Sequence, residues 1–478
     1  MHPHPQAPPI DDDTLAEASR RRDAGRPVWQ WFDRRIRGHM EANAGLPSQS
    51  APPPRAGAWL AQRLTEASCK PRVMYVHVPF CKRICSFCAF FRKATASADL
   101  RAYTDALLKQ IDRYAETRWT RSGPPFSAVY FGGGTPTALP ADQLAQLTGA
   151  IRDRYPLRSD CEITVECRFD GLDEAYLDTL RSAGATRLSF GVQSFDTAVR
   201  QGVGRLADRQ RVFDTLTTAG RMGFDSITVD LIYNLPGQTE RSWFNDIIDL
   251  ALTPTTAASC YALIPMKGSA LVKQIELGRV ESLGDVQHEY QLMRTAHELM
   301  GMRHGWRRFS FHHFGHADRE RSVYNQTRSG GMDTLGFGSG GGGQIGDLSY
   351  MNPMNIEGFI EAQQAGHDSG VMASRQPAAA RRFNRAYQLV EGDGILRGEL
   401  LNILPNFERS IDRLLNLELI NEHHGRLSLT TDGCFWGYNL AALITGAIAD
   451  ALSADDAPTV SSMRHPHAPP RFKHAAGA

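Results

Sequence analysis

Residues 71–91, PRVMYVHVPFCKRICSFCAFF, contain the stretch that decides the fold of this 478-residue chain. The apolar alternation at 73–79 predicts a β-strand. Cys81, Cys85 and Cys88 follow it with the spacing C-x3-C-x2-C. Soft thiolates suit zinc or an iron–sulfur cluster, and a [4Fe–4S] cluster normally takes four of them. A loop that supplies three therefore leaves one iron without a protein ligand and open to a small molecule.

A structural zinc site is the alternative for these three cysteines. Zinc prefers four closed ligands, usually supplied as two pairs. The other cysteines stand singly along the chain at Cys69, Cys161, Cys167, Cys260 and Cys434. They offer no second pair, although Cys69 lies close enough in sequence to be a fourth ligand. The spacing favours an iron–sulfur cluster and leaves zinc open.

Composition and charge point to a cytoplasmic enzyme. The formal net charge is +1, so bulk electrostatics favours neither nucleic acid nor an acidic membrane. No run of about 20 apolar residues is present, and the first residues do not form a secretory signal, so we expect no membrane insertion. Eight cysteines in a chain of this length indicate reduced thiols rather than a disulfide framework.

Strand-like runs alternate with helical patterns from residue 73 to about 265. The predicted strands are 73–79, 128–131, 162–166, 187–192, 226–233 and 259–265. Strand–helix repetition of this kind predicts an α/β fold with a parallel sheet and right-handed crossovers. Active sites of closed parallel barrels lie at the carboxyl ends of the strands. The cysteine loop follows the first strand and therefore falls at that end.

The remaining sequence predicts the outer parts of the molecule. The predicted divisions are an N-terminal arm at 1–70, partly disordered with one docked helix near PVWQWFDRRIRGHMEA; a core with a substrate-site extension at 71–370; a small helical domain at 371–452; and a disordered tail at 453–478. Within the small domain, residues 409–436 have a winged-helix-like pattern. Its recognition helix would hold Glu408 and Asp412, which repel phosphate, so we expect a lid or docking role rather than DNA binding.

The cysteine loop after a first strand resembles that of the radical S-adenosylmethionine (SAM) superfamily. The resemblance implies a partial (β/α)6 barrel and a [4Fe–4S] cluster held by the three cysteines. It also implies that SAM chelates the open iron through its amino and carboxylate groups. The cluster and SAM are therefore the expected cofactors.

Several residues at strand ends fit a SAM site. The run 132–136, GGGTP, lets the backbone approach a ligand closely, although a plain tight turn would also explain it. Asp230 lies inside a strand and needs a partner, either ribose hydroxyls or Arg205 in an internal ion pair. The resemblance implies SAM contacts at Tyr75, Phe87, Gly133, Gly134, Thr135, Glu166, Gln193, Arg205, Asp230, Ile264 and Gly342.

Four motifs narrow the resemblance. YVHVPFC, FGGGTPT, GVQSF and DLIYNLPGQT resemble the oxygen-independent coproporphyrinogen III dehydrogenase-like branch. Three activities compete within it: decarboxylation of coproporphyrinogen III, haem carriage by a chaperone, and anaerobic haem degradation by anaerobilin synthases. The last group methylates haem with SAM, opens the macrocycle and frees iron. A nucleic-acid-modifying enzyme is disfavoured because the chain has no basic, aromatic-interleaved segment.

Two stretches favour the haem-degrading group. Ala89-Phe90-Phe91 follows the last cluster cysteine, where decarboxylases have Gly-Cys. The stretch 312–325, HHFGHADRERSVYN, resembles the His-aromatic-Gly…Arg-Glu-Arg…Tyr-Asn pattern of anaerobilin synthases. We therefore expect haem or a related porphyrin as substrate and a reduced flavodoxin- or ferredoxin-type protein as electron donor.

The second stretch also offers groups that suit haem. Haem iron accepts imidazole, and haem propionates accept arginine. His312, His313 or His316 would supply the iron ligand, with His313 as the predicted catalytic residue, and Arg319 or Arg321 would hold a propionate. For any one histidine, an ordinary surface or hydrogen-bonded role is the alternative. The glycine-rich run 336–343 would admit a flat macrocycle or SAM, or would form a flexible lid.

Overall fold

A seven-stranded parallel sheet forms the centre of the molecule. The structure, a computed structural model, describes residues 10–455 except 45, 47, 89 and 330. It confirms the six predicted strands as β1 (Arg72–Val78), β2 (Phe126–Gly133), β3 (Leu157–Cys167), β4 (Arg187–Gln193), β5 (Ser226–Tyr233) and β6 (Ala257–Ala262). They lie side by side in chain order and all run parallel. Their carboxyl ends therefore meet at one edge.

The sheet continues beyond these strands on both sides. After β6 come β7 (His313–Gly315), which is antiparallel to it, and Arg307–Arg308. Beside β1 lie a seventh parallel strand, β8 (Asp333–Phe337), and then β9 (Gly342–Ile345), β10 (Leu348–Met351), β11 (Met372–Arg375) and Gln49–Ser50. The two outermost strands do not pair with each other, so the barrel is partial.

The glycine-rich run joins two strands of this sheet rather than forming a flexible lid loop, and the approach of a ligand to its backbone stays a prediction. Its first glycines end β8 and its last ones begin β9. A methyl group at Gly336 would lie 2.2 Å from the carbonyl oxygen of Gly342, and one at Gly341 would lie 2.0 Å from that of Phe337. The glycines therefore allow two stretches of backbone to pack against each other.

Helices cover the outer face of the sheet. After β1 come Phe80–Cys81, Lys93–Ala94, the 3-10 turn Thr95–Ser97, and the helices Leu100–Ala115 and Arg118–Ser122. The later crossovers contain Pro136–Ala138 (3-10), Ala141–Arg154, Glu174–Ala183, Thr197–Gly202, Arg209–Arg221, Glu240–Ala251, Ala270–Glu276 and Val286–His304, and the extension contains Val323–Ser329 and Ile356–Gln364. Aspartate N-caps begin several of them, for example Asp99, Asp173 and Asp208.

The N-terminal arm contains more helix than the single one predicted. Its helical segments are Asp12–Asp23, Val28–Gln30 (3-10), His39–Ala42 and Pro53–Leu64. The predicted helix near 27–42 is mostly irregular backbone, because Trp31, Phe32 and Ile36 are buried by tertiary contacts rather than along one helical stripe. The division of the chain into domains stays a prediction.

The C-terminal part is mostly helical and contains a small three-stranded antiparallel sheet. Three antiparallel strands, Ile395–Leu396, Arg426–Leu429 and Ile420–His423, pack with the helical segments Ala378–Tyr387 (3-10), Gln388–Glu391, Arg397–Ile403, Pro405–Phe407 (3-10), Glu408–Asn416, Thr431–Phe435 and Gly437–Asp455. Ser410 donates a hydrogen bond to Asp12 of the arm over 2.7 Å, so the arm contacts the helix that a DNA-binding domain would present.

The last helix extends into the part of the chain that we predicted to be disordered. Residues 453–455 of the predicted tail belong to the last helix, and 456–478 lie outside the described residues. None of the described helices is long and apolar enough to span a membrane.

Candidate active site

The cysteine loop lies at the carboxyl end of β1 and is held by backbone hydrogen bonds. Cys81 and Cys85 are each only 5% exposed, and Cys88 is half-buried. The Ser86 N–H donates to the carbonyl of Val203 over 3.2 Å, and the Ser86 carbonyl accepts from the N–H of Leu271 over 2.9 Å. Distant crossovers therefore fix the loop that carries the thiols.

The three sulfur atoms share one electrostatic environment. Burial raises the pKa of Cys88, and the neighbouring Cys85 and Cys81 raise it further. Cys69, the alternative fourth ligand, is exposed. Across the described ranges, no three histidine, cysteine or acidic side chains converge as they would around a single metal ion. Three thiols on one loop are the type of donor that an iron–sulfur cluster takes.

The glycine run after β2 brings two strand ends into close contact. Gly133 has φ +115°, which favours glycine, and a methyl group there would lie 2.7 Å from the ring of His77. A methyl group at Gly134 would lie 2.8 Å from the carbonyl oxygen of Phe80. The hydroxyl of Thr135 is 3.4 Å from the sulfur of Cys81. The predicted contacts Gly133, Gly134 and Thr135 therefore do lie beside the cysteine loop.

Two carboxylates project into the interior near this run. Glu166 accepts hydrogen bonds from the hydroxyl of Tyr130 over 2.9 Å and from the Gly133 N–H over 3.2 Å. Burial and the neighbouring Asp230 raise the pKa of Glu166 to about 7. Burial also raises the pKa of Asp230, which accepts from Ser189 over 3.4 Å. An ammonium group or ribose hydroxyls would suit these acids.

Gln193 and Arg205 present polar groups from the next strand end. Gln193 has φ +70°, an unusual conformation for a residue with a side chain. Its Oε1 and the Nε and Nη1 of Arg205 are buried without a partner among the described residues. A methyl group at Gly191 would lie 3.0 Å from both the Gln193 Nε2 and the Arg205 Nη2. Glycine there leaves room for both groups.

His77 is a site residue that we did not predict. Its Nδ1 is 3.0 Å from the hydroxyl of Tyr75, a predicted SAM contact, and its Nε2 is buried with no partner in the described part of the chain. Burial lowers the pKa of His77 to about 4, so the imidazole is neutral. Tyr75 and His77 share one face of β1 because side chains alternate along a strand. That alternation was the available signal.

The other three predicted SAM contacts, Phe87, Ile264 and Gly342, differ in their exposure and in the residues that they contact. Phe87 packs on an apolar cluster that includes Val203, Leu263 and Leu271. Ile264 is 39% exposed, and its Cδ1 would lie 3.7 Å from a methyl group at Gly38 of the arm. Gly342 pairs with Met351 at the start of β9. Their roles stay predictions.

His313 lies deep in the barrel and is tied to a buried ion pair. Its Nδ1 is 2.8 Å from the Ser259 hydroxyl, and its Nε2 is 3.4 Å from Glu320. Glu320 also pairs with Arg187 over 3.0 Å. Although burial opposes it, Arg187 together with His313 holds the pKa of Glu320 well below its usual range. The Nδ1 of His313 therefore has a protein partner, whereas its Nε2 lies toward Glu320 without a hydrogen bond among the described residues.

His312 lies nearer the carboxyl end of β6. Its ring tilts against Tyr261 with centroids 4.7 Å apart and meets Phe311 at 4.6 Å. Its Nδ1 is buried without a partner among the described residues. Burial, with His313 and His39 nearby, lowers the pKa of His312 to about 3. The aromatic surroundings and the neutral imidazole are compatible with a flat ligand.

The structure does not bring His316, Arg319 and Arg321 to this end of the barrel. The N–H of His316 donates to Thr256, just before β6, and Arg319 donates to the carbonyls of Phe224 and Asp225, just before β5. Arg321 pairs with Asp160 in the amino half of β3 over 3.1 Å. β7 runs antiparallel to β6, so the chain leaves the site after His312. These three residues are not part of the site.

The interior fits the expected cofactor. Buried polar atoms of the interior without a partner among the described residues include His77 Nε2, Thr164 Oγ1, Gln193 Oε1, Arg205 Nε and Nη1, Thr228 Oγ1, His312 Nδ1 and His313 Nε2. Native interiors leave few such groups unsatisfied, so this number in one region indicates a polar ligand. The amino, carboxylate and ribose groups of SAM provide suitable partners. When bound, SAM and the cluster supply one-electron cleavage chemistry, while the protein positions the reactants and excludes water.

Comparisons with known proteins agree with this site. The model of the radical SAM superfamily matches residues 75–251. Anaerobilin synthase of Escherichia coli O157:H7 is 32% identical over 388 residues, which is 80% of this chain and 86% of that protein. Haem chaperone HemW of Bacillus subtilis (strain 168) is 31% identical over 60% of this chain and 74% of its own.

A solved structure supports the fold. Coproporphyrinogen III oxidase from Escherichia coli, a radical SAM enzyme, superimposes with a TM-score of 0.69 at 22% identity, covering 82% of this chain and 93% of that one. The cofactors are SAM and a [4Fe–4S] cluster, as the sequence predicted. This chain belongs to the radical SAM superfamily, in its haem- and porphyrin-related branch that resembles the oxygen-independent coproporphyrinogen III dehydrogenases.

Proposed function

We propose that this protein degrades haem without oxygen, using SAM as the source of both a radical and a methyl group. The porphyrin ring opens to a linear tetrapyrrole, an anaerobilin, and iron is released. The observation that carries the proposal is the similarity to anaerobilin synthase over 80% of this chain and 86% of that protein. It spans far more than the cofactor-binding core at 75–251.

The residues around the interior would hold SAM by complementary charge. Glu166 offers an acceptor for its amino group, and Arg205 offers a cation for its carboxylate. Asp230 and the unpartnered Thr228 lie deeper, where ribose hydroxyls would satisfy them. Gly133 packs closely against His77 and Gly134 against Phe80, and this close packing excludes water from that side of the site. These roles follow the residue chemistry and the resemblance.

We propose that His312, rather than His313, faces the porphyrin. The Nδ1 of His313 is engaged by Ser259 and its Nε2 lies 3.4 Å from Glu320 deep in the barrel, whereas His312 lies against the ring of Tyr261 near the open end. A neutral imidazole is the form that ligates haem iron. His313 remains close enough to Asp230 to influence its pKa, so we propose that it positions that carboxylate.

The electron donor would dock beside the cysteine loop. Lys82 and Arg83 are exposed and form no ion pair among the described residues, and Ile84 next to them is 44% exposed. Leu206, 49% exposed, follows Gly204, which packs against Ile84 and Cys85. A basic rim around apolar residues suits an acidic carrier protein of the flavodoxin or ferredoxin type.

Anaerobic turnover tests the proposed reaction. Reduced, cluster-loaded protein mixed with SAM and haem is expected to lose the Soret band, and mass spectrometry is expected to find a methylated linear tetrapyrrole. Cys85→Ala should abolish haem loss because it removes a cluster ligand. If haem survives and coproporphyrinogen loses carbon dioxide instead, the protein is a decarboxylase and the proposal is wrong.

A haem carrier is the second candidate, favoured by the 31% identity to haem chaperone HemW. A carrier would retain haem stoichiometrically and cleave SAM without consuming haem. Cys85→Ala would then leave haem transfer largely unchanged, whereas it stops haem loss in a degrading enzyme. Following haem by absorbance in the wild type and in this variant separates the two.

A further inference from the structure

Two buried ionisable side chains, Arg200 and Asp246, lie just outside the site and form no ion pair among the described residues. Each is 1% exposed. Burying a charge costs several kcal/mol unless hydrogen bonds compensate. Both direct their hydrogen bonds to one stretch of backbone, residues 192–207, which we call the clamp segment. It carries Gln193 and Arg205.

Arg200 ties together the two ends of the clamp segment. Its Nε donates to the Ala207 carbonyl over 2.8 Å, and its Nη1 donates to the carbonyls of Val192 and Ser194, the latter over 3.0 Å. Burial, with a contribution from the nearby Arg205, lowers the pKa of Arg200 to about 9, so it remains a cation at neutral pH. One guanidinium therefore fixes the backbone on both sides of Gln193.

Asp246 satisfies the N–H groups of the same segment from a neighbouring helix. It accepts from the Phe195 N–H over 2.6 Å, the Asp196 N–H over 3.3 Å and the Ser194 hydroxyl over 2.8 Å. Gln238 adds a fourth donor at 3.4 Å. Successive N–H groups of this kind form an anion-binding nest, which the carboxylate fills. This contact holds the residues directly after Gln193.

Gln193 lies between these two anchors in a strained conformation. A φ of +70° is strained for a residue with a side chain and persists only where its surroundings enforce it. The same segment contacts the cysteine loop, since Val203 accepts from Ser86. The clamp segment therefore connects Gln193 and Arg205 to the cysteine loop.

We propose that Arg200 and Asp246 are positioning residues that preorganise the clamp segment for SAM. The inference rests on the proposed roles of Gln193 and Arg205 in binding SAM, and it does not depend on which tetrapyrrole the protein acts on. Preorganisation lowers the cost of binding because the segment is ordered before the ligand arrives.

The test uses full-length, cluster-loaded protein without haem. Asp246→Asn keeps one acceptor oxygen and removes the charge, and Arg200→Lys keeps the charge and removes the fork. Each is expected to weaken SAM binding about tenfold by equilibrium dialysis, or about 1.4 kcal/mol. Hydrogen exchange at the Phe195 and Asp196 amides should accelerate in Asp246→Asn.

Asp368→Asn is the matched control. Asp368 is also a buried carboxylate with several donors, from Arg113 and Tyr114, but it belongs to contacts of the outer helices. It should lower the unfolding temperature without changing SAM affinity. A purely structural role for Arg200 and Asp246 predicts the same outcome for their variants, which would overturn the proposal.

Hydrogen exchange in the wild type keeps the test decisive even if the variants do not fold. The Phe195 and Asp196 amides should be protected before SAM is added. Rapid exchange there in SAM-free protein would contradict preorganisation. Failure of the proposed haem reaction is a separate result, because no measurement here involves haem.

Discussion

Replacing Gly191 with alanine should weaken SAM binding more than it weakens the fold. The new methyl group would lie 3.0 Å from the Arg205 Nη2 and from the Gln193 Nε2, and 3.4 Å from the Arg205 Nη1. Comfortable carbon–nitrogen contacts are closer to about 3.5 Å, so both polar groups must move by a few tenths of an ångström. Arg205 is the group that we expect to hold the carboxylate of SAM, and Gln193 is a further predicted SAM contact.

The magnitude follows from one weakened hydrogen bond to a charged group. Such a bond contributes about 1.5–3 kcal/mol, so the Kd for SAM should rise about 10- to 100-fold. Overpacking costs about 1–3 kcal/mol, and the loss of a glycine from the unfolded chain recovers about 0.4–1 kcal/mol. The net loss in unfolding free energy should therefore lie between about 0 and 2.6 kcal/mol.

Equilibrium dialysis with cluster-loaded protein measures the affinity, and urea unfolding measures the stability. Gly149→Ala is the matched control, since no atom lies within 4 Å of the added methyl group in the helix Ala141–Arg154. It should leave SAM binding unchanged and add up to about 1 kcal/mol of stability. A Gly191→Ala protein that keeps its cluster and binds SAM within twofold of the wild type would refute the reasoning.

Three further predictions concern charge. The pKa of Glu166 is about 7, above the ordinary value of 4.5. The contribution of Glu166 to the stability of the apoprotein is therefore complete below about pH 4.5 and is lost as the pH rises through about 7. Glu166→Gln should remove this pH dependence of the unfolding free energy, measured by urea titration. Glu320→Gln should cost about 3–5 kcal/mol, because Arg187 loses its buried partner, whereas exposed Glu357→Gln should leave stability nearly unchanged. Lys82→Glu with Arg83→Glu should slow cluster reduction by an acidic carrier severalfold and reduce its salt dependence, while reduction by dithionite stays unchanged.

The sequence predicts the central sheet well because its signals are local. Each strand of β1 to β6 is a short apolar run between turn residues, and the position of the cysteine loop after β1 follows from chain order. Tyr130 shows where local patterns need the pairing of strands: it is a polar residue on the inward face, and its partner Glu166 on β3 becomes evident only in the folded sheet.

The misplaced residues depend on long-range contacts. His316, Arg319 and Arg321 are only a few residues from His312, but the antiparallel direction of β7 carries them to the opposite end of the barrel. The glycine run resembles a loop in composition, yet it forms β8 and β9 because two backbones pass too closely for side chains. The local sequence pattern of a strand does not reveal in which direction the strand runs or which strand it pairs with.

The most direct test of the central claim is electron paramagnetic resonance of the anaerobically reduced protein, with and without SAM, alongside metal analysis. We expect about four iron atoms per chain, the number in one [4Fe–4S] cluster, and a reduced-cluster signal that changes when SAM is added. Cys81→Ala, Cys85→Ala and Cys88→Ala should each abolish that signal. Protein that contains zinc in place of iron, or a cluster signal that SAM does not alter, would contradict the account.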